Sequence, residues 1–151
     1  MDENHKRALR SSLIVVEKLL HEICDNFLRN DGQSSSILYS RVEDVDHAIV
    51  ERLLNSVMSM FDVIRQIKEK FELGSTQESV RTQVYARLSE VWTILEDLRP
   101  ERLEGYGRMD DADKELLRQY VLRLLSMLDD IFRLLNSWET PKNKFHSQQF
   151  L

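Results

Sequence analysis

Four long stretches of this chain place apolar residues at alternating steps of three and four, the spacing that lines one side of an α-helix. The last stretch is the most regular, because its steps of four and three run without interruption through Leu117, Val121, Leu124, Leu128, Ile131, Leu135 and Trp138. Such a pattern specifies packing between helices rather than chemistry.

The breaks between these stretches give the helix ends. Gly74 ends the second helix, and Ser75 followed three residues later by Glu78 has the spacing of a capping box that opens the third. Pro100 stops the third helix because the residue before a proline disfavours helical geometry. We therefore predict an all-α protein with helices at about 3–30, 41–72, 76–98 and 111–138. The predicted architecture is an antiparallel up-down-up-down four-helix bundle of long helices over residues 1–138, with a polar C-terminal tail at 139–151.

Composition narrows the classes of partner and compartment. The 21 basic and 26 acidic residues are mixed along each helix, so no dense basic stripe favours binding to nucleic acid. No apolar run reaches the roughly 18 to 20 residues that span a bilayer, and residues 1–12 lack the layout of a signal peptide. Cys24 is the single cysteine and cannot form an intramolecular disulfide. These features predict a cytoplasmic protein that does not enter a membrane.

The apolar arc of the fourth helix is wider than one bundle position requires. On a helical wheel it covers about 180°, because apolar residues flank the regular stripe on both sides. Either this helix is the central one, or its flanks pair with another protein or another copy. The candidate interaction surface comprises Leu122, Leu125 and Phe132 on the fourth helix with Ile14 and Val15 on the first.

Two charged residues fall where apolar ones are expected. Asp46 projects close to the stripe of the second helix, and Arg87 close to that of the third. Because burying either charge alone is costly, we expect the two to be buried as a pair that fixes helix register, or to serve a ligand site.

A repeated Glu-x-x-x-His spacing is the most specific chemical pattern. Glu17 with His21 and Glu43 with His47 would each share one helix face, and Asp25 and Asp46 lie near them. The candidate polar cluster, placed near the 31–40 and 99–110 loops, is Glu17, His21, Asp25, Glu43, Asp46, His47 and Arg87. Imidazoles and carboxylates of this kind hold Zn, Mn or Fe in other proteins, which makes Glu17, His21, Glu43 and His47 metal candidates. Solvated helix faces give the same spacing, so no metal and no cofactor is predicted.

The connection from Arg99 to Met109 is distinctive for a bundle loop. Residues 100–104 can form one helical turn with Gly105 as its stop, which leaves Tyr106 between two glycines. The segment either folds Leu103 and Tyr106 over the end of the core or presents Arg102, Tyr106 and Arg108 as a binding loop.

Motifs of the common catalytic sites do not occur in the sequence. It contains no Gly-rich phosphate loop, no Cys-x-x-Cys pair and no nucleophile elbow. We therefore expect a non-catalytic helical bundle that acts through protein contacts, as an adaptor or a homodimer. The alternative is a bundle that binds a metal or a ligand through the polar cluster and could be an enzyme.

Overall fold

A computed structural model describes residues 1–28 and 36–137, and within these ranges the chain is helical with no β-strand. The all-α prediction is therefore confirmed. There are five α-helices and one 3-10 turn at Glu104–Tyr106 in the described part. The helices are α1 (Glu3–Leu28), α2 (His47–Lys70), α3 (Val80–Asp97), α4 (Pro100–Leu103) and α5 (Asp111–Ser137). None of the described helices has the length and apolar character that crossing a membrane requires. The predicted tail at 139–151 lies outside the described residues.

The chain divides into two compact units, unit 1 (Met1–Thr76) and unit 2 (Gln77–Leu151). In unit 1, α1 and α2 form an antiparallel hairpin. Its core consists of Leu20, Cys24, Val57 and Phe61. The Arg10 guanidinium donates a hydrogen bond of 2.7 Å to the Leu73 carbonyl, which ties the start of α1 to the segment after α2.

The second helix begins at His47, six residues later than predicted. Arg41 donates a hydrogen bond to the Asn26 carbonyl, so the segment before α2 is attached to the end of α1 and is not helical. Asp46 is the N-cap residue, and its carbonyl accepts hydrogen bonds from the amides of Ile49 and Val50 at 3.0 Å. The expectation that Asp46 lies buried near a helical stripe is therefore wrong, since it is exposed at the start of α2.

The end of α2 is a Schellman motif rather than a stop at Gly74. Glu72 has a φ of 51° and donates its amide to the Glu69 carbonyl, while the Leu73 amide reaches back to the Lys68 carbonyl at 3.0 Å. This motif usually brings an apolar residue onto the helix end, and Leu73 is buried here.

The third helix begins at Val80 because Ser79, and not Ser75, is its cap. The Ser79 hydroxyl accepts a hydrogen bond of 3.2 Å from the Thr82 amide. Glu78 accepts a hydrogen bond from the Gln83 side chain. Ser75 and Glu78 both precede the helix, so the capping box predicted at Ser75 does not open α3.

Unit 2 is a second antiparallel hairpin, made by α3 and α5. Near one end, the Tyr85 hydroxyl donates a hydrogen bond to Asn136 and its ring packs on Phe132 at 5.3 Å between centroids. Near the other end, Arg118 of α5 donates a hydrogen bond of 2.6 Å to Glu101 of α4. The turn predicted after Pro100 is present as α4, with Pro100 buried at its first position, and it brings the number of helices to five instead of four.

Candidate interaction surface

The side chains predicted to form an interaction surface have different environments in the structure. Leu125 is only 8% exposed and packs inside unit 2, and Phe132 is half-buried against Tyr85. Ile14 is half-buried on α1, whereas Val15 and Leu122 are exposed. Leu125 cannot reach a partner unless the hairpin opens, so the surface has to be defined again from the exposed residues.

Helix α5 carries two apolar stripes, of which one is buried. The buried stripe contains Val121, Leu125 and Leu128 and continues to the half-buried Phe132 and Leu135. The second stripe lies about 100° away around the helix and is exposed along its whole length. Its residues are Leu116, Tyr120, Leu124, Met127, Ile131 and Leu134.

Helix α3 has an exposed apolar stripe as well. Tyr85, Leu88 and Leu95 form the half-buried stripe that packs toward α5. Viewed from the N-terminus of each helix, the exposed stripe is rotated away from the buried stripe in the same direction on α3 as on α5. In an antiparallel pair of helices, two stripes that are rotated in the same direction lie on the same side of the pair. The two stripes therefore form one apolar surface, the unit-2 face, which consists of Val80, Val84, Val91, Ile94 and Leu98 on α3 with the six residues of the second α5 stripe.

The opposite side of the same hairpin is polar. Small or hydrophilic residues occupy the corresponding flanks, namely Thr82, Ala86, Ser89 and Thr93 on α3 with Ser126, Asp129, Arg133 and Asn136 on α5. Leu122 is the one large apolar residue on this flank of α5, and it is 48% exposed. An isolated exposed leucine is ordinary on a protein surface, whereas a continuous apolar face marks a contact site.

Unit 1 has a smaller apolar surface between its two helices. Exposed Val16, Leu19 and Ile23 on α1 lie on the same side as Ile49, Met60 and Val63 on α2. A groove of about 350 Å³ runs along this side, lined by Leu13, Val16, Ser59, Met60, Val63 and Ile64.

The polar cluster does not assemble in unit 1. Glu17 and His21 form an exposed pair with 3.9 Å between Oε1 and Nε2, and the His21 ring packs on Phe61 at 4.8 Å. Glu43 precedes α2, so Glu43 and His47 do not share a helix face as predicted. Asp25 is exposed. Within residues 1–28 and 36–137, no three His, Cys, Asp or Glu side chains are grouped in a way that could hold a metal ion.

Arg87 belongs to unit 2 and is also exposed. It forms an ion pair with Glu90 on its own helix, at 3.1 Å between Nη1 and Oε2. The expectation that Arg87 is buried is therefore wrong. The physical reason is that the stripe of α3 nearest to Arg87 is the exposed one and not the one packed on α5.

The 99–109 connection is held by ion pairs and does not fold Tyr106 over a core. The Tyr106 side chain is 92% exposed, and Gly107 follows it with a φ of 147° that favours glycine. Arg102 pairs with Asp97 at 2.5 Å, and Arg108 is exposed. Tyr106 and Arg108 are thus presented to solvent, while the charge of Arg102 is shared with α3.

Charge pairs fix α4 between the two long helices of unit 2. The hydrogen bond from Arg118 holds the pKa of the Glu101 carboxyl below its usual value. Glu104 pairs with Lys114 and raises the pKa of that ammonium group. Arg99 donates two hydrogen bonds to Glu96, at 2.6 and 2.9 Å, and lowers the pKa of its carboxyl. These pairs give the charges of Arg99, Glu101 and Glu104 a structural role in the connection.

No family model, no curated protein and no solved structure matches this chain. The function therefore has to be argued from the surfaces of the two units.

Proposed function

We propose that this chain is a non-catalytic helical protein that acts through protein–protein contacts, with the unit-2 face as its main contact surface. The observation that supports this proposal is the contrast between the two sides of one hairpin. Eleven large apolar side chains, interrupted by Arg87, line one side of α3 and α5. The other side is polar apart from Leu122 and the partly exposed Trp92 beside the buried stripe.

The size of the unit-2 face favours a contact site over ordinary surface apolarity. Its side chains are about half exposed on average. At roughly 100 Å² for burying one large aliphatic side chain, this exposure corresponds to about 600 Å² of apolar area. Monomeric proteins rarely expose an apolar patch larger than about 600 Å², and patches of this size are commonly functional.

The same surfaces account for the predicted architecture. A two-helix hairpin buries only one stripe of each helix, and an antiparallel four-helix bundle forms when two hairpins pack through their second stripes. We propose that the up-down-up-down bundle arises in this way, when the unit-2 face packs on the apolar stripes of a partner's helices. The metal-binding alternative has no corresponding support in the geometry of its residues.

Site-specific photo-crosslinking tests the proposal in the cells that produce this chain. A photoreactive amino acid is placed at position 124 on the unit-2 face or at position 122 on the polar side. Leu124 and Leu122 form a matched pair, since they lie on the same helix and are 47% and 48% exposed. We expect intermolecular adducts at position 124 and few at position 122, and mass spectrometry of the adducts identifies the partner. Equal yields at the two positions, or no adduct at either, would contradict the proposal.

A further inference from the structure

We infer that the partner of the unit-2 face is a second copy of this chain, with α3 of one copy lying along α5 of the other. This inference rests on the proposed function, because it names the partner of the same surface. The two copies are related by a two-fold axis parallel to the helices. Each helix then has only antiparallel neighbours, which is the arrangement of an antiparallel four-helix bundle.

The area of the face matches what a stable dimer needs. One face provides about 600 Å² of apolar area on the scale used above, so two identical faces bury about 1,200 Å² together. Specific interfaces begin near this total, and a long apolar stripe on each helix gives the regular contacts of helix packing.

Contacts within unit 2 fix which residues of α3 and α5 lie at the same height. Tyr85 is level with Phe132 and Asn136. Counting from Tyr85 along two antiparallel helices, Arg87 is level with a position about two residues after Asp130, a difference of about 3 Å along the helix axis. Rotation about an axis parallel to the helices preserves these heights. Arg87 of one copy therefore lies within about 3 Å in height of Asp130 of the other.

The charges on the border of the face are complementary in this register. Arg87 lies within the α3 stripe, three residues after Val84 and four before Val91, on the outer half of that stripe. Asp130 lies just beyond the outer border of the α5 stripe, on the side farthest from the other helix of the hairpin. When α3 lies along the second copy's α5, the outer sides of the two stripes meet, as the flanking charged positions of coiled coils do. Among residues 1–28 and 36–137, the ion-pair partner of each is an exposed neighbour on its own helix: Glu90 lies 3.1 Å from Arg87, and Arg133 lies 3.8 Å from Asp130.

A second pair has the opposite polarity along the same border. Asp97 at the end of α3 is level with Arg123 of α5 in the second copy to within about one residue, by the same count from Tyr85. Among the described residues, Arg123 forms no ion pair with an acidic side chain, and Asp97 is shared with Arg102. The basic residue is on α3 in the Arg87–Asp130 pair and on α5 in the Asp97–Arg123 pair. Because a shift of the helices would bring like charges closer, the two pairs favour this register electrostatically, and each pair occurs twice in a symmetric dimer.

Charge reversal in mixed samples tests the inference on the full chain. Arg87→Glu and Asp130→Arg each place like charges on both borders of the homodimer. Both positions are exposed, so circular dichroism should show unchanged helicity. Since exposed pairs contribute modestly and each contact occurs twice, we expect either variant to raise the dimer dissociation constant about tenfold or more in sedimentation equilibrium at low salt.

An equimolar mixture of R87E and D130R is the decisive sample. In the mixed dimer the R87E chain meets the D130R chain, so both borders again pair opposite charges. We expect the mixture to recover most of the lost affinity, whereas neither variant alone does. If the mixture of R87E and D130R dimerises no more tightly than either variant alone, the inferred register is wrong.

The unmodified chain gives an independent outcome. If it remains monomeric up to about 200 µM, far above the dissociation constants of specific complexes, the second-copy inference is wrong. Photo-crosslinking at position 124 to a different protein would then still support the proposed function. The two proposals therefore fail in distinguishable ways.

Discussion

Truncation of two adjacent leucines, Leu125→Ala and Leu124→Ala, tests which stripe of α5 holds unit 2 together. Leu125 is 8% exposed, so removing three carbon groups at about 0.8 kcal/mol each should cost about 2 kcal/mol of unfolding free energy, with a small addition for the cavity. Leu124 is about half exposed, so the same truncation should cost about 1 kcal/mol in the separate chain.

Tryptophan fluorescence in urea measures this difference. Trp92 lies on α3 of unit 2, so its signal reports on the unfolding of this unit. Titrations at about 1 µM and about 100 µM protein separate the roles of the two leucines, because stabilisation of the folded state by association grows with the logarithm of the protein concentration. The midpoint of the unmodified chain and of Leu125→Ala should rise with concentration. The midpoint of Leu124→Ala should rise less.

The low-concentration result is the one that can refute the reasoning. If Leu124→Ala costs as much as Leu125→Ala at about 1 µM, where association contributes least, the assignment of the buried stripe is wrong. A cost below about 1 kcal/mol for Leu125→Ala would contradict its burial in the same way.

Three further changes probe unit 2 with the same urea assay. Ser79→Ala removes the side-chain cap of α3 and should cost about 1 kcal/mol, and an unchanged midpoint would contradict the cap. The pKa of Glu101 is lowered by Arg118, so its stabilisation is present above the unfolded pKa of about 4.3 and is lost as the pH falls through the folded value. Glu101→Gln should therefore lose less stability than the unmodified chain between about pH 5 and pH 3. Parallel curves of unfolding free energy against pH for the two proteins would contradict the Arg118–Glu101 pair. Gly107→Ala should cost about 1 to 3 kcal/mol because of its positive φ, whereas Gly105→Ala should cost much less, since its backbone is ordinary and its surroundings are open.

Much of the fold could be predicted from the sequence because helix periodicity and breakers are local signals. Pro100 marks the boundary between α3 and α4, and the start of α5 at Asp111 agrees with the predicted start. The start of α2 was harder to predict from the sequence, because it depends on the hydrogen bond from Arg41 to Asn26, fifteen positions away in sequence. Ser75 and Ser79 are both chemically suitable caps, and only the three-dimensional structure distinguishes them.

The buried stripe of α5 could not be assigned from periodicity. Leu124 and Leu125 belong to two stripes with the same three- and four-residue spacing, and the choice depends on where α3 packs. The sequence prediction placed Leu124 in the core and Leu125 on the surface, whereas the structure exposes the first and buries the second. The unusual width of the apolar arc was the signal that a second stripe existed.

The polar candidates depended on helical geometry that is only partly present. Glu17 and His21 do share a helix face, but Glu43 lies before α2, and the two Glu-x-x-x-His pairs therefore differ in structure. Spacing of four residues brings side chains together only where both residues are helical.

Sedimentation velocity of three proteins tests the central claim most directly: the unmodified chain, Leu124→Glu and Leu122→Glu. The two variants introduce the same charge at equally exposed positions on opposite sides of α5. We predict that the unmodified chain and Leu122→Glu shift toward twice the chain mass of 17.9 kDa as concentration rises, while Leu124→Glu stays at the mass of one chain. If Leu124→Glu associates as the other two do, the unit-2 face is not the contact surface.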